Sequence, residues 1–376
     1  MGYLKELLPK MAQYRLAKAG LRPPGKPINL TFSVTNVCQS RCKTCHIWQI
    51  YKDQPEKRSQ ELTIDEIEKI FQSLGHVYIF NVSGGEPFLR PDVVDIIALA
   101  CRYLSPGIIH IPTNAIADKQ ILAKTRRIIA LLGRQYPATR LTIKPSLDHI
   151  DARHDDIRGI PGNFDKVMAL FESLKKLKPA FPNLHVELGT VISRWNVADI
   201  EEIAAFITQL APESYRNEIA EQRSEMLNMT CPITPDAAQY RRAIDFFVRQ
   251  IRANMQNRTL FHKITHAFRL EYYRLAIRIL EQRRQVIPCY AGISNAHMTP
   301  YGDIWACCTL GYEQSMGNLR DHDYHFPTLW AGKQAAAIRA FIHGKNCHCP
   351  MANQMYSNIL MDPPSLLCVL KEIAVT

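Results

Sequence analysis

The sequence predicts an α/β fold: a partial (β/α)6 TIM-type barrel, carrying a helical basic insertion and a small Cys-rich C-terminal domain. Three observations lead there. Between Asn29 and Ile219, six short apolar runs alternate with five amphipathic helical stretches. The runs are mostly β-branched and nearly continuous in apolar character, as expected of parallel strands covered by helices. After Pro288 the texture changes to short, turn-rich, Cys-rich sequence. Pattern alone leaves an open doubly wound sheet as the alternative closure.

In chain order the strands are expected at Leu30–Val34, Val77–Val82, Ile108–Ile111, Leu141–Leu147, His185–Ile192 and Ser214–Ile219. The helices are expected at Ile64–Leu74, Val93–Tyr103, Ile116–Leu132, Phe164–Leu177 and Ile200–Leu210. Thr63-Ile64-Asp65-Glu66 reads as a capping box, and Pro91-Asp92 as a helix start. Four segments follow: residues 1–28, a basic N-terminal helical segment; 29–233, the barrel; 234–287, a basic helical segment; and 288–376, a small cysteine-rich domain.

The 376 residues, 47% hydrophobic and 22% charged, exclude a disordered or collagen-like chain. No apolar stretch approaches the roughly 20 residues a membrane span requires, and lysines interrupt any candidate signal peptide. The expectation is a cytoplasmic protein. Its net charge of +11 is concentrated. Residues 1–27 set six Lys and Arg against Glu6, and residues 241–285 set eleven against Asp245, Glu271 and Glu281. Two basic surfaces imply anionic company. Leu4, Leu7, Leu8 and Met11 form a stripe at helical spacing, which suggests peripheral membrane contact; a helix docked on the barrel is the other reading.

Eleven cysteines without an export signal point to metal rather than disulfides. Cys38, Cys42 and Cys45 follow the first strand in a C-x3-C-x2-C spacing. A structural zinc site wants four ligands, whereas three thiolates suit a 4Fe-4S cubane with one iron open. Cys289, Cys307, Cys308, Cys347 and Cys349 cluster in the last quarter, and sequence does not separate iron–sulfur from zinc there.

With Ser83-Gly84-Gly85-Glu86-Pro87 after the second strand, the cysteine motif resembles the radical SAM superfamily, over the barrel from Asn29 to about Ile219. The resemblance implies that the open iron chelates S-adenosyl-L-methionine. Gly84 and Gly85 would let backbone approach its methionine part, and Glu86 or its neighbours would accept from the amino group. Ser83, Thr113, Asn114, Ser146, Asp148, Arg158 and Ser193 stand at positions matching further cofactor contacts, Arg158 with the cofactor carboxylate. Thr44 departs from the aromatic residue common before the third cysteine. The C-terminal segment resembles the SPASM or shortened twitch extension, which implies one auxiliary 4Fe-4S cluster on Cys289, Cys307, Cys347 and Cys349. Cys308 is left as a fifth ligand, a hydrogen-atom donor and candidate catalytic residue, or a bystander.

The implied activity is radical SAM oxidoreductase or transferase chemistry: reductive cleavage of S-adenosylmethionine, then hydrogen abstraction from substrate. A flavodoxin- or ferredoxin-type electron donor would supply the reductant. Arg269, Arg274, Arg283 and Arg284 beside Tyr272 and Tyr273 suggest a phosphate-binding face, hence a small-molecule or lipid-linked anionic or sugar-type substrate. The alternative is a peptide-modifying maturase served by a separate recognition protein. A zinc-containing nucleic-acid binder is a different class; no recognised nucleic-acid motif is present and such a protein would leave Gly-Gly-Glu-Pro unexplained, so nucleic acid is not an expected partner.

Overall fold

The computed structural model describes residues 2–255 and 259–375. Six parallel strands run as expected: β1 (Asn29–Thr35), β2 (Ile79–Gly84), β3 (Ile108–Thr113), β4 (Arg140–Pro145), β5 (Leu184–Ile192) and β6 (Ser214–Ile219). They pair in sequence order, each neighbour parallel to the last. The sheet does not close on itself. A seventh parallel strand, β7 (Asn295–Met298), pairs with the free edge of β1, and β8 (Asp303–Trp305) and β9 (Ser315–Asn318) continue it as an antiparallel meander. Segments on the two sides of Pro288 therefore share one nine-stranded sheet.

The strands alternate more strictly than their composition suggests. On β1, Leu30, Phe32 and Val34 are fully buried, packed in the core with Phe71 and Phe80. Asn29 and Thr31 border the lumen, as do Asn81 on β2, His110 on β3, Thr142 and Lys144 on β4, and Arg216 and Glu218 on β6. Thus the outer faces hold the apolar core, where each fully buried side chain contributes about 1.5–3 kcal/mol. The inner faces line a polar cavity, and this is why the runs are only nearly apolar.

The covering helices Ile64–Leu74, Val93–Tyr103, Asp118–Gln135, Asn163–Leu177 and Ile200–Leu210 follow the expected pattern. Thr63 and Glu66 form the capping box reciprocally. Asp92 sits at the N-cap of its helix without capping it, because its carboxylate pairs with Arg90 at 2.5 Å. A short helix, Asp151–Arg158, intervenes after β4, and the chain ends in helices Ala352–Met361 and Pro363–Val375. The first of these plugs the lumen: Asn29 Nδ2 donates to Asn353 Oδ1 at 2.8 Å, and Gln354 and Tyr356 face the cavity.

The basic segment forms two helices, Ala237–Met255 and Leu260–Gln282. Tyr272 and Tyr273 are buried, Tyr273 donating to Asn217 Oδ1 at 2.7 Å. Arg269 donates to the Tyr215 carbonyl, Arg274 pairs with Glu271, and Arg241 pairs with Glu281. The tyrosines are core anchors, not a stacking face. The N-terminal helix Gly2–Lys18 is also docked, through fully buried Tyr14 in a cluster with Tyr290, Ile293 and Met361, with Met11 packed alongside. Leu8 is exposed, while the side chain of Leu4 lies outside the described residues. No helix among the described residues is long and apolar enough to cross a membrane.

Candidate active site and metal centres

The carboxyl ends of the parallel strands open into a cavity of about 460 Å³ continuous with solvent. Cys38, Cys42 and Cys45, carried by the loop after β1, all border it, together with Ser83, Gly84, Gly85, Thr113, Asn114, Ser146 and Arg158. The loop is held by backbone. Arg41 and Lys43 donate their amides to the carbonyls of Arg158 and Ile157, the last carbonyls of helix Asp151–Arg158. Those carbonyls would otherwise lack partners at a helix end.

Gly84 and Gly85 are required here by close packing. The amides of Gly85 and Glu86 donate at 2.8 Å to the carbonyls of Thr35 and Val37. A Cβ on Gly84, whose φ is +112°, would stand 2.2 Å from the Thr35 oxygen, and one on Gly85 2.3 Å from the Val37 oxygen. The motif after β2 is thereby fastened to the cysteine loop after β1.

The thiols receive specific donors. Asn114 Nδ2 lies 3.6 Å from Cys38 Sγ, Arg158 Nη1 3.5 Å from Cys42 Sγ, and Ser40 Oγ 3.0 Å from Cys42 Sγ. Burial, then the neighbouring Cys42, pushes the Cys38 thiol up to about 12; Cys45 is raised in the same way, by burial first. Burial works against the charge of Arg158, but Asp148 at 2.9 Å and Cys42 keep it cationic. Three thiols, Cys42 buried and Cys38 and Cys45 half-buried, thus gather beside one guanidinium. This donor set fits an iron–sulfur cluster.

Three expected contacts lie elsewhere. Glu86 is fully buried and away from the cavity: its carboxylate accepts from Thr113 Oγ1 at 2.9 Å, Asn114 N at 2.8 Å and Phe88 N at 3.2 Å. Burial raises it to about 7 despite those donors. It ties β2 to β3 and positions Asn114. Asp148 likewise holds Arg158 and the Val191 amide, and Ser193 is confined to a turn with Asn196. Neither borders the cavity.

A second, smaller cavity is bordered by Cys289, Cys307, Cys347 and Cys349 together, with Gln285, Met351 and Met355. Burial raises all four thiols, Cys307 to about 12 and Cys347 to about 11, with neighbouring thiols adding to it for Cys307, Cys347 and Cys349. Four thiols on one enclosed wall fit one further cluster. Cys307 borders both cavities, whereas Cys308 borders only the large one.

Residues 32–207 match the Radical SAM superfamily model, and residues 289–350 match the SPASM model, an iron-sulfur cluster-binding domain. The chain belongs to the radical SAM superfamily. Its radical SAM and SPASM domains make it an enzyme dependent on iron–sulfur clusters and S-adenosylmethionine. It is 20% identical over 91% of its length, and 69% of the relative's, to the antilisterial bacteriocin subtilosin biosynthesis protein AlbA of Bacillus subtilis. It is 24% identical to the mycofactocin maturase MftC of Mycobacterium tuberculosis, covering 91% of this chain and 83% of that one. Streptococcus suis SuiB bound to precursor peptide SuiA shares the fold, with a TM-score of 0.57, 17% identity, and coverage of 90% of this chain and 70% of SuiB.

The radical SAM chain carries its basic helices away from the large cavity. Among the described residues, none of Ala237–Gln282 borders the large cavity. The expectation that Arg269, Arg274, Arg283 and Arg284 bind an anionic substrate there fails, because two of them serve neighbouring groups and the helix pair packs outside the barrel. What sequence reading missed lies in the lumen. Glu187 pairs with Arg216 at 3.3 Å, and Glu221 with Arg223 at 2.8 Å. Lys144 stands 3.9 Å from Glu218. Alternation along β5 and β6 was the available signal.

Proposed function

We propose that this enzyme modifies a peptide. The observation that carries the reading is the cavity wall: Lys144, Arg216 and Arg223 stand opposite Glu218, Glu187 and Glu221 in pairs, Arg158 pairs with Asp148, and Arg140 and Glu225 also border the space, so it is polar but nearly charge-balanced. A phosphate-bearing substrate would call for unpaired cations; a polyamide with mixed side chains needs donors and acceptors of both kinds. Support comes from the relatives: the fold is shared with SuiB holding a precursor peptide, and MftC is a maturase.

In this reading Cys38, Cys42 and Cys45 hold the S-adenosylmethionine cluster, and Cys289, Cys307, Cys347 and Cys349 the auxiliary one. The bound clusters supply one-electron chemistry, with electrons from a flavodoxin- or ferredoxin-type donor. The chain does the rest. Arg158 and Asn114 donate to the ligating sulfurs, Gly84 and Gly85 hold the cofactor wall against the loop, and the plug helix closes the lumen to bulk water. A separate recognition protein would deliver the peptide.

The test is anaerobic incubation of the reduced, reconstituted enzyme with S-adenosylmethionine and either pooled synthetic peptides or a lipid-linked phosphosugar extract. The expected result is a mass change in a peptide with stoichiometric 5'-deoxyadenosine. Turnover of the anionic lipid fraction alone would overturn the reading.

A further inference from the structure

Cys308 belongs to neither thiol set, yet it faces the reaction cavity with two other ligating side chains. Cys308, His297 at the end of β7 and Glu225 after β6 are all buried, and their ligand atoms lie within 4.8 Å of one another. His297 Nε2 is 3.3 Å from Glu225 Oε1. Two ligands at about 2.0–2.1 Å from a tetrahedral ion stand about 3.3 Å apart, so this edge is already of coordinating length. The Ser33 hydroxyl lies 2.9 Å from each of the same two atoms and fixes them. The sulfur of Met351, 3.0 Å from Cys308 Sγ, adds a soft atom beside it.

The charge around the three supports a cation. Lys144 stands by Glu218 and Arg223 by Glu221, and the Arg223 guanidinium donates to Glu221 Oε1; among the described residues Glu221 Oε2 is buried with no hydrogen-bond partner. Glu221 is 6% exposed and borders the same cavity. Glu225 is left with an imidazole and a hydroxyl as its bonded partners. The wall beside Cys308 therefore holds more carboxylate than the nearby guanidinium offsets.

We propose that Glu225, His297 and Cys308 bind one divalent transition-metal ion, zinc by the chemistry of the donors, with a coordination position open to the reaction cavity. One sulfur, one imidazole nitrogen and one carboxylate oxygen suit a borderline ion. Three protein ligands with a fourth position free is the arrangement that lets an ion take a substrate donor atom. The ion would hold a carbonyl, carboxylate or thiolate of the substrate between the Cys38–Cys45 loop and the wall at Cys307. It is a site distinct from both clusters, because Cys308 does not border the Cys289–Cys349 cavity and none of the three ligands lies on the Cys38–Cys45 loop. The ion site does not depend on the substrate being a peptide.

The test uses the holoenzyme, reconstituted anaerobically with iron and sulfide, given zinc chloride, desalted, and measured for zinc and iron. About one zinc per chain is expected, with X-ray absorption showing one sulfur at about 2.3 Å among nitrogen and oxygen ligands. Cys308→Ala and His297→Gln should each lose that zinc while iron stays unchanged. Glu225→Gln, which keeps shape and hydrogen bonding, gives a second reading should either variant misfold by circular dichroism. Zinc that persists in all three variants, zinc with only sulfur ligands, zinc absent from the wild-type holoenzyme, or iron lost with Cys308 would each overturn the proposal, the last placing Cys308 on the auxiliary cluster.

Discussion

Gly85 shows how much one atom decides. Its Cβ position is 2.3 Å from the Val37 carbonyl oxygen, and both flanking amides bond to the cysteine loop. Gly85→Ala should therefore push the loop away, with a cost on the order of 1–3 kcal/mol. A lowered melting temperature and reduced iron retention after reconstitution are the expected readings. Glu86 is a buried carboxyl whose proton is held to about 7 by desolvation. The native state then binds a proton that the unfolded chain releases near 4.5, so stability from this group falls as pH rises from about 4.5 to 7. Glu86→Gln should flatten that slope; melting temperatures compared between pH 5 and 8 check it. An unchanged slope would mean the carboxyl is not the source.

At the scale of elements, the strands and covering helices were legible because each repeats its period and is bounded by turn chemistry, as at Thr63. The inward residues were less so: Asn81 and Lys144 sit within largely apolar runs and Glu218 in the mixed Ser214–Ile219, and only the assembled barrel shows that they share a lumen. Helix Asp151–Arg158 is short and mostly polar, so no apolar stripe announced it. The cysteine sets were readable from spacing, but the burial of Glu86 was not, since its carboxylate is claimed by a strand 27 residues away. The basic helices teach the converse. Composition located their charge and tertiary packing turned it from the cavity. Arg283 and Arg284 are exposed and off the cavity wall, so Arg283→Glu with Arg284→Glu should leave 5'-deoxyadenosine formation unchanged. Arg269→Ala, by contrast, removes a 2.7 Å bond to the Tyr215 carbonyl and should cost about 1–3 kcal/mol in denaturant unfolding.

For the whole molecule, the sheet is the frame that sets two thiol sites side by side. β7 pairs with β1, so the strand preceding the Cys38–Cys45 loop and the segment carrying Cys307 belong to one hydrogen-bonded surface. Cys307 lies on the wall of both cavities, which in the proposed reading gives the auxiliary site a short path to the substrate. The central claim is that the two sets are separate cluster sites and that the first alone handles S-adenosylmethionine. Iron and 5'-deoxyadenosine measured on the Cys38→Ala, Cys42→Ala, Cys45→Ala triple variant test it most directly. The account predicts iron falling from about eight to about four per chain, the content of one remaining cubane, with no 5'-deoxyadenosine formed. Continued cleavage of S-adenosylmethionine by that variant, or loss of all its iron from a folded protein, would contradict it.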